Sequence, residues 1–282
     1  MSDEATRTHF SGVQPADGGP GGDDALPPVL RGVGKTHPGM VRKQNEDNFL
    51  ERPEAGLWMV ADGVGGAHAG DWASAQIVEV LKDIPPGGGA PELLALAVSR
   101  LEEANRRMVK RAEERGGGMI ASTVVVLLAR GWHYTCVWAG DSRCYLLRDN
   151  ALTQITHDHS EVQELIDAGA LTPEEAERYP RSNVITRALG VGLQIQFDRV
   201  AGRLRPGDRF VLCTDGLSKM LSDAEIATLM TDGDFAALPG SLVAAALSAG
   251  GHDNVTVVTV ACDAGDGGPS IPWRPPADDE PS

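Results

Sequence analysis

The sequence predicts one domain that mixes helices with strands covered on both faces. Three observations predict it. Six short apolar runs of β type recur between residues 57 and 262. Two longer stretches repeat their apolar residues at helical spacing. Both ends, by contrast, are dominated by Gly, Pro and Asp, with no repeat or linker between them. The domain is therefore expected over 29–262, flanked by disordered tails at 1–28 and 263–282, because such tails bury too little apolar surface to order themselves.

The strand runs are LWMVA (57–61), STVVVLLA (122–129), YTCVWA (134–139), CYLL (144–147), RFVLC (209–213) and NVTVVTVAC (254–262). They are too short for independent helices and nearly continuous rather than alternating, the pattern of strands buried on both faces. The first helix follows from Ala73, Ile77, Val80, Leu81 and Ile84, the second from Ala97, Leu101, Ala104 and Met108, with charges on the opposite faces. PPGGGAP breaks the chain between them, so they form a pair. Residues 153–190 read as short, strongly capped helices. Ser160 and Gln163 have capping-box spacing, Gly169 is a stop, and TPEE (172–175) offers a cap, a first-turn proline and a glutamate. A mobile lid and an ordinary surface excursion both fit this insert. SDAE (222–225) opens another helix.

Composition narrows the partners. The 282 residues are 41% hydrophobic, enough for a sizeable core, and carry 40 acidic against 25 basic side chains, a net charge of −15. Each tail holds five acids and one arginine, leaving −7 for the middle. A net acidic body without a basic run argues against nucleic acid or an anionic membrane as partner. No segment approaches the ~20 apolar residues of a membrane helix. The N-terminus lacks the basic start and apolar run of a signal peptide. Cys136, Cys144, Cys213 and Cys262 show no C-x-x-C pairing and lie in or beside apolar runs. They read as reduced core thiols of a cytoplasmic protein.

The chemistry concentrates at strand ends. In VADGVGGAHAG (60–70), Asp62-Gly63 alone reads as a hairpin turn, the alternative being a metal or phosphate site. YTCVWA runs into Gly140-Asp141, RFVLCT runs into Asp215-Gly216, and Asp253 precedes the last strand. If that last strand is antiparallel to the others, all four carboxylates reach one sheet edge. Like charges about 4 Å apart repel by roughly 4 kcal/mol at an effective dielectric near 20. A bound divalent cation removes that difficulty, and oxygen-only donors point to Mg²⁺ or Mn²⁺. Upstream, HPGMVRKQNEDNF places Arg42 four residues before the acid pair Glu46-Asp47. Alone it is an exposed charged turn; beside a metal cluster its carboxylates can serve an ion and its guanidinium a phosphate. The His-Asp pairs in THDHS and GGHDN flank strands and turns, so an HD-type hydrolase is disfavoured. His68, His157, His159 and His252 are expected as surface or supporting residues. Neither G-x-G-x-x-G nor a P-loop is present.

Together, VRKQNED, VADGVGG, WAGDSRCYLLR, the 156–190 region, LCTDGLS and GGHDNVTVVTV resemble, in order, the elements of the metal-dependent PPM (type 2C) protein serine/threonine phosphatases of bacteria. The resemblance spans about 32–260. It implies an α+β fold, a four-layer α-β-β-α sandwich of two antiparallel sheets flanked by helix pairs, with a helical flap at about 153–190. It implies two Mn²⁺ or Mg²⁺ ions and a third site besides. Asp62 would bridge two ions, Asp215 and Asp253 would hold the first, and Glu46 or Asp47 with the Gly63 carbonyl would serve the second. Asp141, sharing Asp215, would contribute to the third, and Arg42 would bind substrate phosphate. The implied reaction is hydrolysis of phosphoserine and phosphothreonine in proteins by a metal-bridged hydroxide. Its partners would be phosphorylated proteins and a cognate Ser/Thr kinase, and the 137–149 hairpin also resembles phosphatases tied to type VI secretion. Two positions depart from the pattern. Val64 stands where animal members often carry a histidine, and Lys219 stands where some members carry an acid four residues after the T-D-G aspartate. The competing readings are a non-catalytic regulatory module of the same fold and a Ca²⁺-stabilised structural sandwich.

Overall fold

Strand β3 (Leu57–Gly65) shows how the layers are made. In the computed structural model, which describes residues 27–66, 69–176 and 179–265, its side chains alternate between two cores, as the two-residue period of a strand requires. Leu57, Met59 and Ala61 pack under α1 (Ala69–Leu81) and α2 (Ala90–Glu114). Trp58 and Val60 face a second sheet. Each face meets an apolar layer, which is why the run carries no polar alternation.

One sheet follows the order β2 (Asp47–Arg52), β3, β5 (Val124–Arg130), β6 (His133–Ala139), β9 (Asp198–Arg203), with the short β4 (Ile120–Ser122) pairing the end of β3. The other runs β1 (Val29–His37), β11 (Val255–Asp263), β10 (Arg209–Cys213), β7 (Arg143–Arg148), β8 (Ala151–Gln154). Every pairing is antiparallel. Between the sheets lie Trp58, Val125, Leu127, Phe210, Leu212, Val258 and Val260. The second sheet's outer face carries Tyr145, Val211 and Val257 against α6 (Asp223–Asp232) and α7 (Leu238–Ser248). The result is the expected four-layer α-β-β-α sandwich. All four cysteines are free and buried in it.

Two expectations change. Asp62-Gly63 is not a turn: β3 continues through both residues to Gly65, paired with β2 and then β4. Asp62 therefore lies within its strand rather than at the end. At the other boundary, Asp263 closes β11 opposite Val29, so ordered structure runs one residue into the expected tail. Residues 1–26 and 266–282 of the tails, and His68, lie outside the described residues.

The flap region contains α3 (Glu161–Asp167), capped by Ser160 accepting from the Gln163 amide, and α4 (Pro173–Ala176). At α4, Thr172 and Glu175 bond each other's backbone amides reciprocally. Gly169 takes the positive φ of 68° that ends α3. Neither helix buries a residue. The region is held at its base, where the Glu161 amide donates to the Val184 carbonyl and the Thr186 amide to that of His159.

Candidate active site

Strand direction brings the acidic residues to one edge of the sandwich. Asp47 opens β2 and pairs directly with Asp62 on β3. Asp141 follows β6 across the turn at Gly140, whose φ of 113° a side chain would strain. Asp215 follows β10 and starts the one-turn helix α5 (Asp215–Ser218). Asp253 precedes β11, which is antiparallel to β10, so it arrives at the edge where β10 ends.

Crowding shows in the carboxyl groups. Burial, followed by the charges of Asp47, Asp215, Asp141 and Asp253, pushes Asp62 well above the usual carboxylate range. Asp141 is pushed up to about 7, first by burial and then by Asp215, with Lys219 opposing. Asp47 is also pushed up to about 7 by burial, against the hydrogen bonds of two threonines. Its Oδ2 accepts from Thr214 Oγ1 (2.8 Å) and Thr256 Oγ1 (2.7 Å), while Oδ1 is buried without a partner. Buried polar atoms are nearly always paired, so an orphan oxygen marks a place for an outside cation or water. Asp215 Oδ1 is a second such atom.

Glu46 belongs to a different corner. Its carboxylate sits against Gly70 near the start of α1, and the Gly70 amide bonds to it. A Cβ on Gly70 would stand 2.5 Å from Glu46 Oε1 and 2.6 Å from the Gly63 carbonyl oxygen. Those two oxygens are thus neighbours across a cradle that only glycine leaves open. A Cβ on Gly63 would meet the Gly70 carbonyl oxygen at 1.9 Å. Burial raises the Glu46 carboxyl, partly offset by Arg42. Of the acid pair, then, Glu46 shares the Gly63 corner, and Asp47 turns inward to the threonines of the opposite sheet.

At the exposed rim, Arg42 bonds Asp253 Oδ2 at 2.8 Å. Lys219 bonds Asp215 Oδ2 and, at 2.7 Å, Asn183 Oδ1. Among the described residues, no three acidic, imidazole or thiol groups form a ready donor set. The donors nevertheless fit hard divalent ions: they are all oxygen, they repel one another, and two are buried without partners.

Several supporting residues carried no role in the sequence reading. Asn254 Nδ2 donates to the Pro38 and Gln44 carbonyls, and its Oδ1 accepts from the Glu46 amide, so one side chain shapes the 38–46 loop. Asn45, Thr36 and Thr256 make a chain of hydrogen bonds ending on Asp47. His159, expected as a surface or supporting residue, is buried; its Nδ1 accepts from the Gly140 amide at 3.1 Å beside Asp141. His157 pairs with Asp167 and His252 is exposed, away from any imidazole cluster.

Residues 34–247 match the family model for protein phosphatase 2C. The chain belongs to the protein phosphatase 2C family. Its relatives include the serine/threonine protein phosphatase PstP of Mycobacterium tuberculosis, 39% identical over 233 residues. That match covers 82% of this chain and 44% of the relative, so the chain spans less than half of that protein's length. Among solved structures, this protein phosphatase 2C domain is similar to PppA, described as a key regulatory component of T6SS in Pseudomonas aeruginosa. The two are 42% identical, with a TM-score of 0.79 over 85% of this chain and all of that one. It is also similar to the PstP catalytic domain solved in complex with two manganese ions, at 37% identity and TM-score 0.75, covering 84% and 99% of the two chains. No helix among the described residues is long and apolar enough to cross a membrane.

Proposed function

We propose that this protein phosphatase 2C domain, spanning about 29–262, hydrolyses phosphoserine and phosphothreonine in proteins with two Mn²⁺ or Mg²⁺ ions. The observation that carries the reading is the convergence of Asp47, Asp62, Asp141, Asp215 and Asp253 from both sheets at one edge of the sandwich, with an arginine at its rim. Asp62, buried and facing the charges of Asp47, Asp215, Asp141 and Asp253, would be shared by both ions. Asp215 and Asp253 would hold one ion. Glu46 and the Gly63 carbonyl would hold the other. Asp47 is held by Thr214 and Thr256 through Oδ2, and its buried Oδ1 is left without a protein partner. Two such ions supply Lewis acidity and a lowered pKa for water.

The chain's own residues do the positioning. Arg42 stands half-exposed, where its planar fork can take a phosphoryl group in exchange for Asp253. Phosphoryl transfer needs little beyond alignment and charge stabilisation, which a rigid carboxylate frame and a guanidinium provide. Asn254 keeps the arginine loop in register with the frame. The relatives' names support phosphoproteins as substrates, and a Ser/Thr kinase system in the cytoplasm is the natural opposing partner. The likeness to PppA supports a role in regulating type VI secretion.

Phosphate release from a phosphothreonine peptide, with and without Mn²⁺, tests the reading for wild type and Asp62→Asn. Mn²⁺-dependent turnover that the substitution reduces by at least a thousandfold is expected. Wild type that binds Mn²⁺ yet releases nothing from several phosphopeptides would make the chain a regulatory module instead.

A further inference from the structure

Lys219 lies four residues after Asp215, at the end of α5, so its side chain returns along the helix turn to the aspartate that starts it. Its ammonium bonds Asp215 Oδ2 and reaches Asn183 Oδ1, in the flap, at 2.7 Å. The two oxygens of Asp215 are thereby divided. Oδ2 belongs to the ammonium, and Oδ1 is buried without a partner, available to an ion.

We propose that Lys219 is a tethered cation that replaces a third divalent ion beside Asp141 and Asp215 and ties the flap to them through Asn183. The inference rests on the two-ion reading above and sets its upper limit. The lysine joins the flap to the carboxylate frame by an ion pair to Asp215 on one side and a hydrogen bond to Asn183 on the other.

Two measurements that do not depend on turnover test it. Equilibrium dialysis against Mn²⁺ with metal analysis gives ions per chain for wild type and Lys219→Asp. Two ions for wild type and three for Lys219→Asp are expected. Amide exchange at Val184 and Thr186, whose bonds to the Arg181 and His159 carbonyls hold the flap base, is expected to quicken at least fivefold in Lys219→Met. Three ions in wild type, two in a folded Lys219→Asp, or unchanged exchange in Lys219→Met would each overturn the proposal. No Mn²⁺ bound by wild type would overturn the two-ion reading itself, and this one with it. Should Lys219→Asp fail to unfold cooperatively, the wild-type count and the Lys219→Met exchange decide.

Discussion

With divalent ions stripped, the stability of this domain is expected to fall as pH rises from about 4 to 7, the reverse of an ordinary carboxylate pair. Asp47 and Asp141 have an unfolded value of 3.8 and a folded value of about 7. The folded state therefore retains protons that the unfolded state gives up across that window. Stability is lost as pH climbs through it and levels off above about 7. A rise of roughly three units, at about 1.4 kcal/mol per unit, makes either residue alone worth about 4 kcal/mol. The two share neighbours, so their sum is smaller than double. His159 acts the other way, because burial lowers its pKa and stability gains as it deprotonates. Asp47→Asn isolates one contribution. The amide oxygen still accepts from Thr214 and Thr256, while a buried NH₂ without a partner costs about 1–3 kcal/mol. In EDTA, the substitution should stabilise by about 1–3 kcal/mol at pH 8 and be neutral to destabilising at pH 5. In saturating Mn²⁺ the pH 8 gain should vanish. Urea unfolding at both pH values, with EDTA or Mn²⁺, reads this directly. An Asp47→Asn variant less stable than wild type in EDTA at pH 8 would refute the electrostatic reasoning.

Other substitutions probe separate parts of the frame. Gly63→Ala drives a methyl group into the Gly70 carbonyl oxygen; a loss of about 2–3 kcal/mol is expected from such overpacking, with at least tenfold weaker Mn²⁺ binding by calorimetry. Asn254→Ala removes three hydrogen bonds to the 38–46 loop. At about 1 kcal/mol each, it should cost 2–3 kcal/mol and quicken amide exchange at Gly63, whose N–H donates to the Glu46 carbonyl. Arg148→Ala leaves Asp208, 1% exposed, without its bidentate partner at the far end of the fold. A loss of about 3–5 kcal/mol in urea unfolding is expected, with Mn²⁺ affinity unchanged.

The strands most legible in the sequence are those whose two faces both meet apolar layers. β3, β5, β6, β10 and β11 carry nearly unbroken Val and Leu runs because one side chain faces the sheet interface and the next faces helices. β1, β2, β8 and β9 were missed for the same reason in reverse. VLRGVGKTH, DNFLER, ALTQ and DRVAGR are largely half-buried or exposed, and their polar and glycine positions look like connecting chain, so Thr153 and Gln154 of β8 read as part of the helical insert. Local turn chemistry misplaced Asp62-Gly63, since the pairing of β3 with β2 and β4 overrides the dipeptide's preference. Asp141, Asp215 and Asp253 were legible from their positions beside strand ends, whereas Asp62 lies inside β3 and Glu46 and Asp47 were legible only through their motif. Their supports were not: Thr214, Thr256 and Asn254 sit within the same motifs, but their hydrogen bonds reach residues 36 to 47, a separation that no local pattern encodes. The choice between Glu46 and Asp47 likewise depends on β2, whose first residue turns Asp47 between the sheets.

The central claim is that this edge of the sandwich holds two divalent ions with Asp62 between them. Anomalous diffraction at the manganese edge from crystals grown with Mn²⁺ tests it most directly. Two peaks sharing the Asp62 carboxylate are expected, one also contacted by Asp215 and Asp253, the other by Glu46 and the Gly63 carbonyl. A single peak, or peaks that leave Asp62 without a metal, would contradict the account.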